Sequence, residues 1–438
     1  MISKGTIMTK QLTLILAIVC TLPLFALEFT ISADHEDCLY KIGEMATFTI
    51  KVKEKDGSVP QEGVIDAALD NFGPIVITQK KWNLADGDTF TMKGTLPKAG
   101  FLRLRLAAKN TPTRSWSVGF EPEKIEKGSP SPKDFDAFWA NAIKKLDENI
   151  PEDMQQTLIP ERSQGAFNFW RISFATCNNR RVYGYLSVPK DASADKKYPV
   201  RFSVPAAGNG GWTNNMNGED KAVKMFICVY DYEPIFNVEE HKKAYDEMNK
   251  RLREKYRTNY ATAGIAISRE TYFFYAPLLG INRAVNWLAK QPYVDLRDFT
   301  YSGTSQGGGF GFYLTGLNHH FTRAVFYVPA ITDTMGYLKQ RQSGWPRIIE
   351  SQPSADAKVA AEQNAHYFDG ANFADRIQCP VRVAVGFSDT TCAPCAVYAA
   401  YNNIPVQDKK IVHGIGMTHS CFGQFYRELG AWEREGVK

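Results

Sequence analysis

Gly303-Thr304-Ser305-Gln306-Gly307 has the form that turns a serine hydroxyl into a nucleophile. The run before it, Asp298-Phe299-Thr300-Tyr301-Ser302, predicts a short strand. The run after it, Gly307-Gly308-Gly309-Phe310-Gly311-Phe312-Tyr313-Leu314, predicts the start of a helix. A G-x-S-x-G pentapeptide between strand and helix makes a sharp turn that lifts the serine oxygen clear of the backbone. Glycine on either side avoids a Cβ clash in so tight a bend. The chemistry implied is acyl transfer through a serine.

Such a serine needs a base to take its proton, and the base needs an acid to hold its tautomer. In sites of this kind the partners follow in the order Ser, Asp or Glu, then His. Four histidines stand at or beyond position 320: His320, His366, His413 and His419. The first two come too early. His413 falls inside a predicted strand over 409–415, whereas His419 lies in the loop after it, Gly416-Met417-Thr418-His419-Ser420. Catalytic groups of open parallel sheets gather at the C-terminal strand edge, which makes His419 the expected base. Asp389 follows a predicted strand over 381–386 and reaches the same edge, so it is the expected acid. Its competing role is to cap the next helix. Asp369, in Tyr367-Phe368-Asp369-Gly370, is second choice because it precedes that strand.

The charge that develops on an attacked carbonyl needs two backbone N–H donors. Gln306, directly after the serine, supplies one. The other is expected from the glycine-rich stretch Val204-Pro205-Ala206-Ala207-Gly208-Asn209-Gly210-Gly211, with Gly208 first and Asn209 next. A mere tight turn is the alternative reading of that stretch.

These side chains must be held by strands and helices that alternate beyond residue 165. Apolar runs at 198–204, 260–267, 324–328 and 381–386 are each followed by turn residues and helix-like sequence, the pattern of a mostly parallel sheet covered on both faces. The mixed-charge stretch from Val238 to Arg257 reads as a solvated helix face. Residues 27–122 differ. Met45-Ala46-Thr47-Phe48-Thr49-Ile50-Lys51-Val52 and Gly100-Phe101-Leu102-Arg103-Leu104-Arg105-Leu106 alternate apolar with polar, and Lys55-Asp56-Gly57-Ser58 and Ala85-Asp86-Gly87-Asp88 mark turns. About seven such strands predict an immunoglobulin-like sandwich. Gly128-Ser129-Pro130-Ser131-Pro132 is a linker, and Asp134-Phe135-Asp136-Ala137-Phe138-Trp139 opens an amphipathic helix. The expected architecture is an α/β-hydrolase fold over 130–438 with an N-terminal immunoglobulin-like β-sandwich domain over 27–122.

Lys4 and Lys10 precede an apolar run from Leu12 to Leu22 and the small residue Ala26. That run is too short to span a bilayer and reads as a signal peptide over 1–26, which places the mature protein outside the cytoplasm, periplasmic or secreted. Cys20 is a poor lipid-attachment site because Val19 precedes it. Cleavage at Ala26 removes two lysines and no acid, so the net charge falls from +5 to +3. So small an excess over this length excludes a nucleic-acid-binding stripe.

Several of these segments are familiar together. Gly303-Thr304-Ser305-Gln306-Gly307-Gly308-Gly309 is similar to the G-x-S-Q-G-G-G of carbohydrate esterase family seven, the acetyl xylan esterases and cephalosporin C deacetylases. Tyr367 to Ala374 resembles the segment before that family's acid, and Asp389 with Ala399-Ala400-Tyr401-Asn402 resembles the acid and the helix after it. Asp134 to Trp139 resembles its N-terminal helix, and Ala207 to Gly211 its oxyanion loop. The resemblance spans 130–430. It implies a serine esterase that removes acetyl groups from xylo-oligosaccharides and other small esters without a cofactor. Ser305 would be nucleophile, Asp389 acid, His419 base, and Gly208 with Gln306 the oxyanion donors. The chain departs from the family at Cys228-Val229-Tyr230-Asp231-Tyr232-Glu233-Pro234, where Arg-Gly-Gln is usual, and at Ser420, where Glu follows the histidine. The expected β domain is a third departure. These differences bear on substrate range and on the family's hexameric assembly.

Two other classes compete. Cys392-Ala393-Pro394-Cys395, with Cys421 and His419, has the makings of a metal or redox site, but zinc sites of this spacing belong to loop-rich modules and this pair opens a helix. A disulfide near the active site is the stronger expectation for it. A sugar-binding protein without catalysis is the second rival, and the ordered set of three side chains argues against it.

Overall fold

The computed structural model describes residues 27–208, 217–419 and 422–435. The expected leader with Cys20 and Ala26, the stretch Asn209-Gly210-Gly211, and Ser420 with Cys421 lie outside the described residues.

Strands β1 (Leu27–Ala33), β2 (Leu39–Tyr40), β3 (Ala46–Glu54), β4 (Val64–Asp70), β5 (Val76–Asn83), β6 (Thr89–Gly94), β7 (Gly100–Ala108) and β8 (Thr111–Phe120) fill the N-terminal region. They form a three-stranded sheet in the order β1-β3-β6 and a five-stranded sheet in the order β2-β8-β7-β4-β5. The period-two runs bury alternate side chains, Phe48, Ile50 and Val52 on β3 and Leu102, Leu104 and Leu106 on β7, because successive residues of a strand face opposite sides. The sheets meet where Phe48 points its ring edge-on to Trp116, 5.8 Å between centroids.

Helix α1 (Phe135–Asn149) follows the linker. Then come β9 (Gln155–Leu158), β10 (Phe167–Thr176), β11 (Arg180–Pro189), β12 (Tyr198–Val204), β13 (Val223–Ile227), α2 (Val238–Tyr256), α3 (Tyr275–Ala289), β14 (Val294–Thr304) and α4 (Gln306–Leu317). The chain continues through β15 (Arg323–Tyr327), α5 (Ala355–Ala365), α6 (Gly370–Ala374), β16 (Val381–Gly386), α7 (Pro394–Asn402), β17 (Lys409–Gly414) and α8 (Phe422–Arg434). Strands β9 to β17 make one nine-stranded sheet in the order β17-β16-β15-β14-β12-β13-β11-β10-β9. From β17 to β13 every neighbour is parallel, and β11, β10 and β9 add antiparallel strands at one edge. The whole is a mixed α/β fold whose central strands are buried nearly end to end.

The run 260–267 is not the strand its composition predicts. It is a chain of turns, buried from Tyr260 to Ile265, in which Tyr260 N–H donates to Asn249 Oδ1 and Phe273 N–H donates to the Ala263 carbonyl. A short all-apolar run signals burial without specifying geometry, and this one finds its partners in α2 and the start of α3 instead of a neighbouring strand. Helix α2 is also less solvated than its charge suggests, since His241, Met248, Asn249 and Leu252 are buried.

Asp369, the second-choice acid, caps α6 by accepting from Ala371 N–H and pins the loop after β15 by accepting from the N–H groups of Asp333 and Thr334, both at 2.7 Å. Asp333 accepts in turn from Gly128 N–H in the linker, at 2.6 Å, and pairs with Arg341 at 2.7 Å. Burial raises the pKa of both carboxyls, that of Asp333 to about 6. A carboxyl whose folded pKa is raised stabilises the fold fully below its unfolded value and loses that contribution as pH rises through the folded value. The stability of the wild type relative to Asp333→Asn is therefore expected to fall between about pH 4 and pH 6 and then level off, read by urea unfolding across that range.

Candidate active site

Ser305 sits between the end of β14 and the start of α4 with φ 55° and ψ −116°, and only 6% of it is exposed. A left-handed backbone is costly for a residue with a Cβ and persists only where its surroundings hold it. Here Ser305 N–H donates to the Tyr327 carbonyl at 2.9 Å, while its own carbonyl accepts from Gly309 N–H at 3.0 Å and Ala330 N–H at 2.9 Å. The flanking glycines are sterically required. A Cβ on Gly303 would lie 2.5 Å from the Gly307 backbone, and one on Gly307 would run into the Val204 carbonyl. The third glycine of the run, Gly309, lets α4 press against the Ala330 carbonyl in the same way.

The three side chains singled out in the sequence meet at this turn. His419 Nε2 is 3.0 Å from Ser305 Oγ, and His419 Nδ1 is 2.7 Å from Asp389 Oδ2. Asp389 is fully buried, whereas the imidazole is 29% exposed. The other carboxylate oxygen, Oδ1, accepts from the N–H groups of Thr391 and Cys392, each at 2.8 Å. Asp389 thus faces the imidazole and caps the turn into α7 with the same carboxylate. An imidazole held so can take a proton from the hydroxyl at Nε2 while its Nδ1–H stays on the carboxylate.

His413 is elsewhere. It lies on β17 as predicted, but its Nε2 is 2.6 Å from the Tyr398 hydroxyl and its ring faces Phe387, and burial lowers its pKa. His320 follows α4 and His366 abuts α5, where its Nδ1 meets the Ser129 hydroxyl.

Gln306 opens α4, and the first N–H groups of a helix have no intrahelical carbonyl to bind. Its side chain is buried and anchored, with Oε1 accepting from the Tyr260 hydroxyl at 2.7 Å. Gly208, with φ 102°, ends the described part of the loop after β12, and its carbonyl accepts from the Tyr230 hydroxyl at 3.0 Å. Tyr230 and Tyr260 meet edge-on, so one aromatic cluster ties down both sides of the expected oxyanion site.

Two contributors escaped sequence reading. The first is Cys392, whose thiol is within hydrogen-bond reach of the Ser305 hydroxyl and whose Sγ, with one Asp389 oxygen and one His419 nitrogen, falls in a group spanning 4.8 Å. Burial and the Asp389 charge push this thiol well above its ordinary pKa, so it stays protonated and is no rival nucleophile. Its spacing from Asp389 was the available signal, but the C-x-x-C pattern drew attention away. The disulfide expected between Cys392 and Cys395 is not formed. Both thiols are free, Cys392 turned toward the serine and Cys395 toward the Gln342 carbonyl at 3.7 Å.

The second contributor is the N-terminal region, which reaches the loops of Asp389 and His419 directly. Ser117 on β8 donates its hydroxyl to the Phe387 carbonyl, two residues before Asp389. Phe101 on β7 packs edge-on against Phe387 at 5.1 Å. Trp116 lies so close to Gly416, in the loop before His419, that a Cβ there would come within 2.6 Å of its indole nitrogen. From the other side Gln342 and Arg347 both donate to the Thr390 carbonyl, at 2.8 and 2.9 Å. No motif marks these contacts, because they pair residues more than 250 positions apart in the first three cases.

Comparison with known proteins gives a consistent set. Residues 123–434 match the family model described as acetyl xylan esterase (AXE1). Acetyl esterase Axe7A of Xylanibacter ruminicola is 28% identical over 415 residues, covering 92% of this chain and 90% of that protein, so the match takes in most of the N-terminal sheets. Among solved structures, the acetyl xylan esterase from Paenibacillus sp. R4 aligns with TM-score 0.60 at 20% identity, over 72% of this chain and 99% of the other. Acetyl xylan esterase 1 from Thermoanaerobacterium sp. JW/SL YS485 aligns with TM-score 0.57 at 18% identity, over 72% and 96%. At those identities the two structures speak for the fold, an α/β hydrolase.

The buried bond from Tyr260 to Gln306 is testable by itself. Tyr260→Phe leaves Gln306 Oε1 unsatisfied and is expected to cost about 1–3 kcal/mol, measured by chemical denaturation.

Proposed function

The chain belongs to the acetyl xylan esterase family and is a carboxylic ester hydrolase, and from that premise we propose that Ser305, His419 and Asp389 are its catalytic triad. The observation that carries this reading is the His419 imidazole, 3.0 Å from the Ser305 hydroxyl and 2.7 Å from the Asp389 carboxylate. Ser305 Oγ attacks the ester carbonyl as His419 Nε2 takes its proton. Asp389 steadies the imidazolium, and the same proton then leaves with the alcohol. Water, deprotonated by His419, attacks the acyl-serine and releases the carboxylic acid. The backbone N–H groups of Gln306 and Gly208 stabilise the charged oxygen in both steps; losing one such donor slows a reaction of this kind by about a hundred- to a thousandfold. Nucleophile, base and acid all come from the chain, so the mechanism is written without a cofactor.

The proposed substrates are acetylated carbohydrates such as xylo-oligosaccharides. The family's description and the relatives' names support this choice. We read residues 27–122 as an immunoglobulin-like β-sandwich domain and 130–438 as the esterase domain, supported by the facing N-terminal sheets and the linker at 128–132. We read residues 1–26 as the signal peptide of an exported enzyme, on the lysines and apolar run noted above. Among the described residues no helix is long and apolar enough to cross a membrane.

Ser305→Ala is expected to lower turnover of a chromogenic acetyl ester by on the order of ten thousand to a million fold, with an unchanged unfolding transition. Asp389→Asn is expected to cost about ten thousandfold by favouring the wrong imidazole tautomer. His419→Ala should abolish turnover while His413→Ala retains it; the reverse result would reassign the base.

A further inference from the structure

The backbone N–H groups of Gly208 and Gln306, proposed above as the oxyanion donors, come from segments far apart in the chain. Two such donors serve one oxygen only if they converge on it, which demands placement to within about 0.5 Å. Gly208 keeps a φ of 102°, and a Cβ there would meet nothing within 4 Å among the described residues, so packing on that side does not fix it. Its carbonyl is held by the Tyr230 hydroxyl, which donates to it at 3.0 Å. The residue cannot turn freely without breaking that bond, so the hydroxyl limits where its N–H points.

The second segment is held in the same way. Gln306 Oε1 accepts from the Tyr260 hydroxyl at 2.7 Å, and Gln306 Nε2 donates at 3.4 Å to the carbonyl of Pro205, at the start of the Gly208 loop. The two phenols meet edge-on with ring centroids 5.4 Å apart, and their hydroxyls are within hydrogen-bond reach of each other. Tyr245 packs edge-on against both rings and brings its hydroxyl to that of Tyr260. Hydrogen bonds thus run from Gly208 through two buried side chains to Gln306, and from Gln306 back to Pro205. Burial raises the pKa of both phenols, so they stay protonated donors wherever an imidazole titrates.

We propose that Tyr230 and Tyr260 are positioning residues that act as one brace, setting the separation of the Gly208 and Gln306 N–H groups that the tetrahedral intermediate requires. The proposal rests on the serine-esterase reading above and adds what holds its oxyanion site in shape. At 1% and 2% exposure neither phenol reaches substrate, and each acts through the residue it holds. The brace matters most when charge develops on the oxygen, so its loss falls on kcat.

Tyr230→Phe and Tyr260→Phe, singly and together, are assayed on a chromogenic acetyl ester below their unfolding transitions. Removing an oxyanion donor outright costs about a hundred- to a thousandfold, so loosening one is expected to lower kcat about ten- to thirtyfold, with KM within about twofold. The Ki of phenylboronic acid, whose adduct with Ser305 puts an oxygen where the charged one forms, rises by a similar factor. The pH profile drops in height while its acidic limb stays in place, since His419 and Asp389 are untouched. The double variant loses no more than about threefold beyond the worse single one, as two parts of one brace do. Tyr232→Phe is the control, because that ring stacks on Tyr230 at 5.5 Å while its hydroxyl is buried without a partner among the described residues. Its kcat stays within about twofold of wild type. Unchanged kcat in the two single variants, a rise in KM alone, a displaced limb, multiplying losses in the double variant, or an equal loss in Tyr232→Phe would each overturn the brace. Either single variant carries the test if the other does not fold. The esterase reading fails separately, if wild type leaves the chromogenic ester intact or Ser305→Ala cleaves it as fast.

Discussion

The left-handed backbone of Ser305 is the constraint on which the rest of this molecule turns. A residue with a Cβ does not rest there unaided, so three hydrogen bonds, to Tyr327, Gly309 and Ala330, clamp it from β15, the first turn of α4 and the loop after β15. Those bonds require α4 to lie almost in contact with the ends of β12 and β15. Side chains at 303, 307 or 309 would force the helix away, and the clamp would open. The glycine run is therefore a packing requirement set by the serine, and the buried, nearly featureless surface of α4 follows from it.

Around that turn, Asp389 is held more firmly than His419. A buried carboxylate must have its oxygens met, and Asp389 meets this with two amides and the imidazole. The loop carrying it is gripped on one side by Ser117 and Phe101 of the N-terminal sheets and on the other by Gln342 and Arg347. The imidazole remains partly exposed, so it can meet both the serine and solvent. The N-terminal sheets thus act as a wall behind the site, and the linker joining them to the large sheet is itself tied down through Asp333.

The aromatic cluster of Tyr230, Tyr245 and Tyr260 does comparable work on the opposite side, joining Gly208 to Gln306. Tyr230 comes from the loop after β13, Tyr245 from α2 and Tyr260 from the turns that follow it. Asp231, next to Tyr230 in the chain, pairs with Arg251 of α2 at 2.6 Å.

Much of this was legible from residue order alone. The pentapeptide around Ser305, the strand before Asp389 and the loop after β17 singled out three side chains that the fold brings within hydrogen-bond distance, because each is tied to a local pattern. The period-two runs placed the N-terminal strands for the same reason. Where local pattern carried no geometry, the reading failed. The apolar run from Tyr260 became buried turns, since burial alone does not choose between strand and coil. Two cysteines at disulfide-like spacing turned to different partners. The Ser117 and Trp116 contacts and the tyrosine cluster arise from residues far apart in the chain, brought together only when sheets pack. Chemistry bound to a short motif is written in the sequence, whereas the shape and support of the surrounding surface depend on long-range packing that no local spacing encodes.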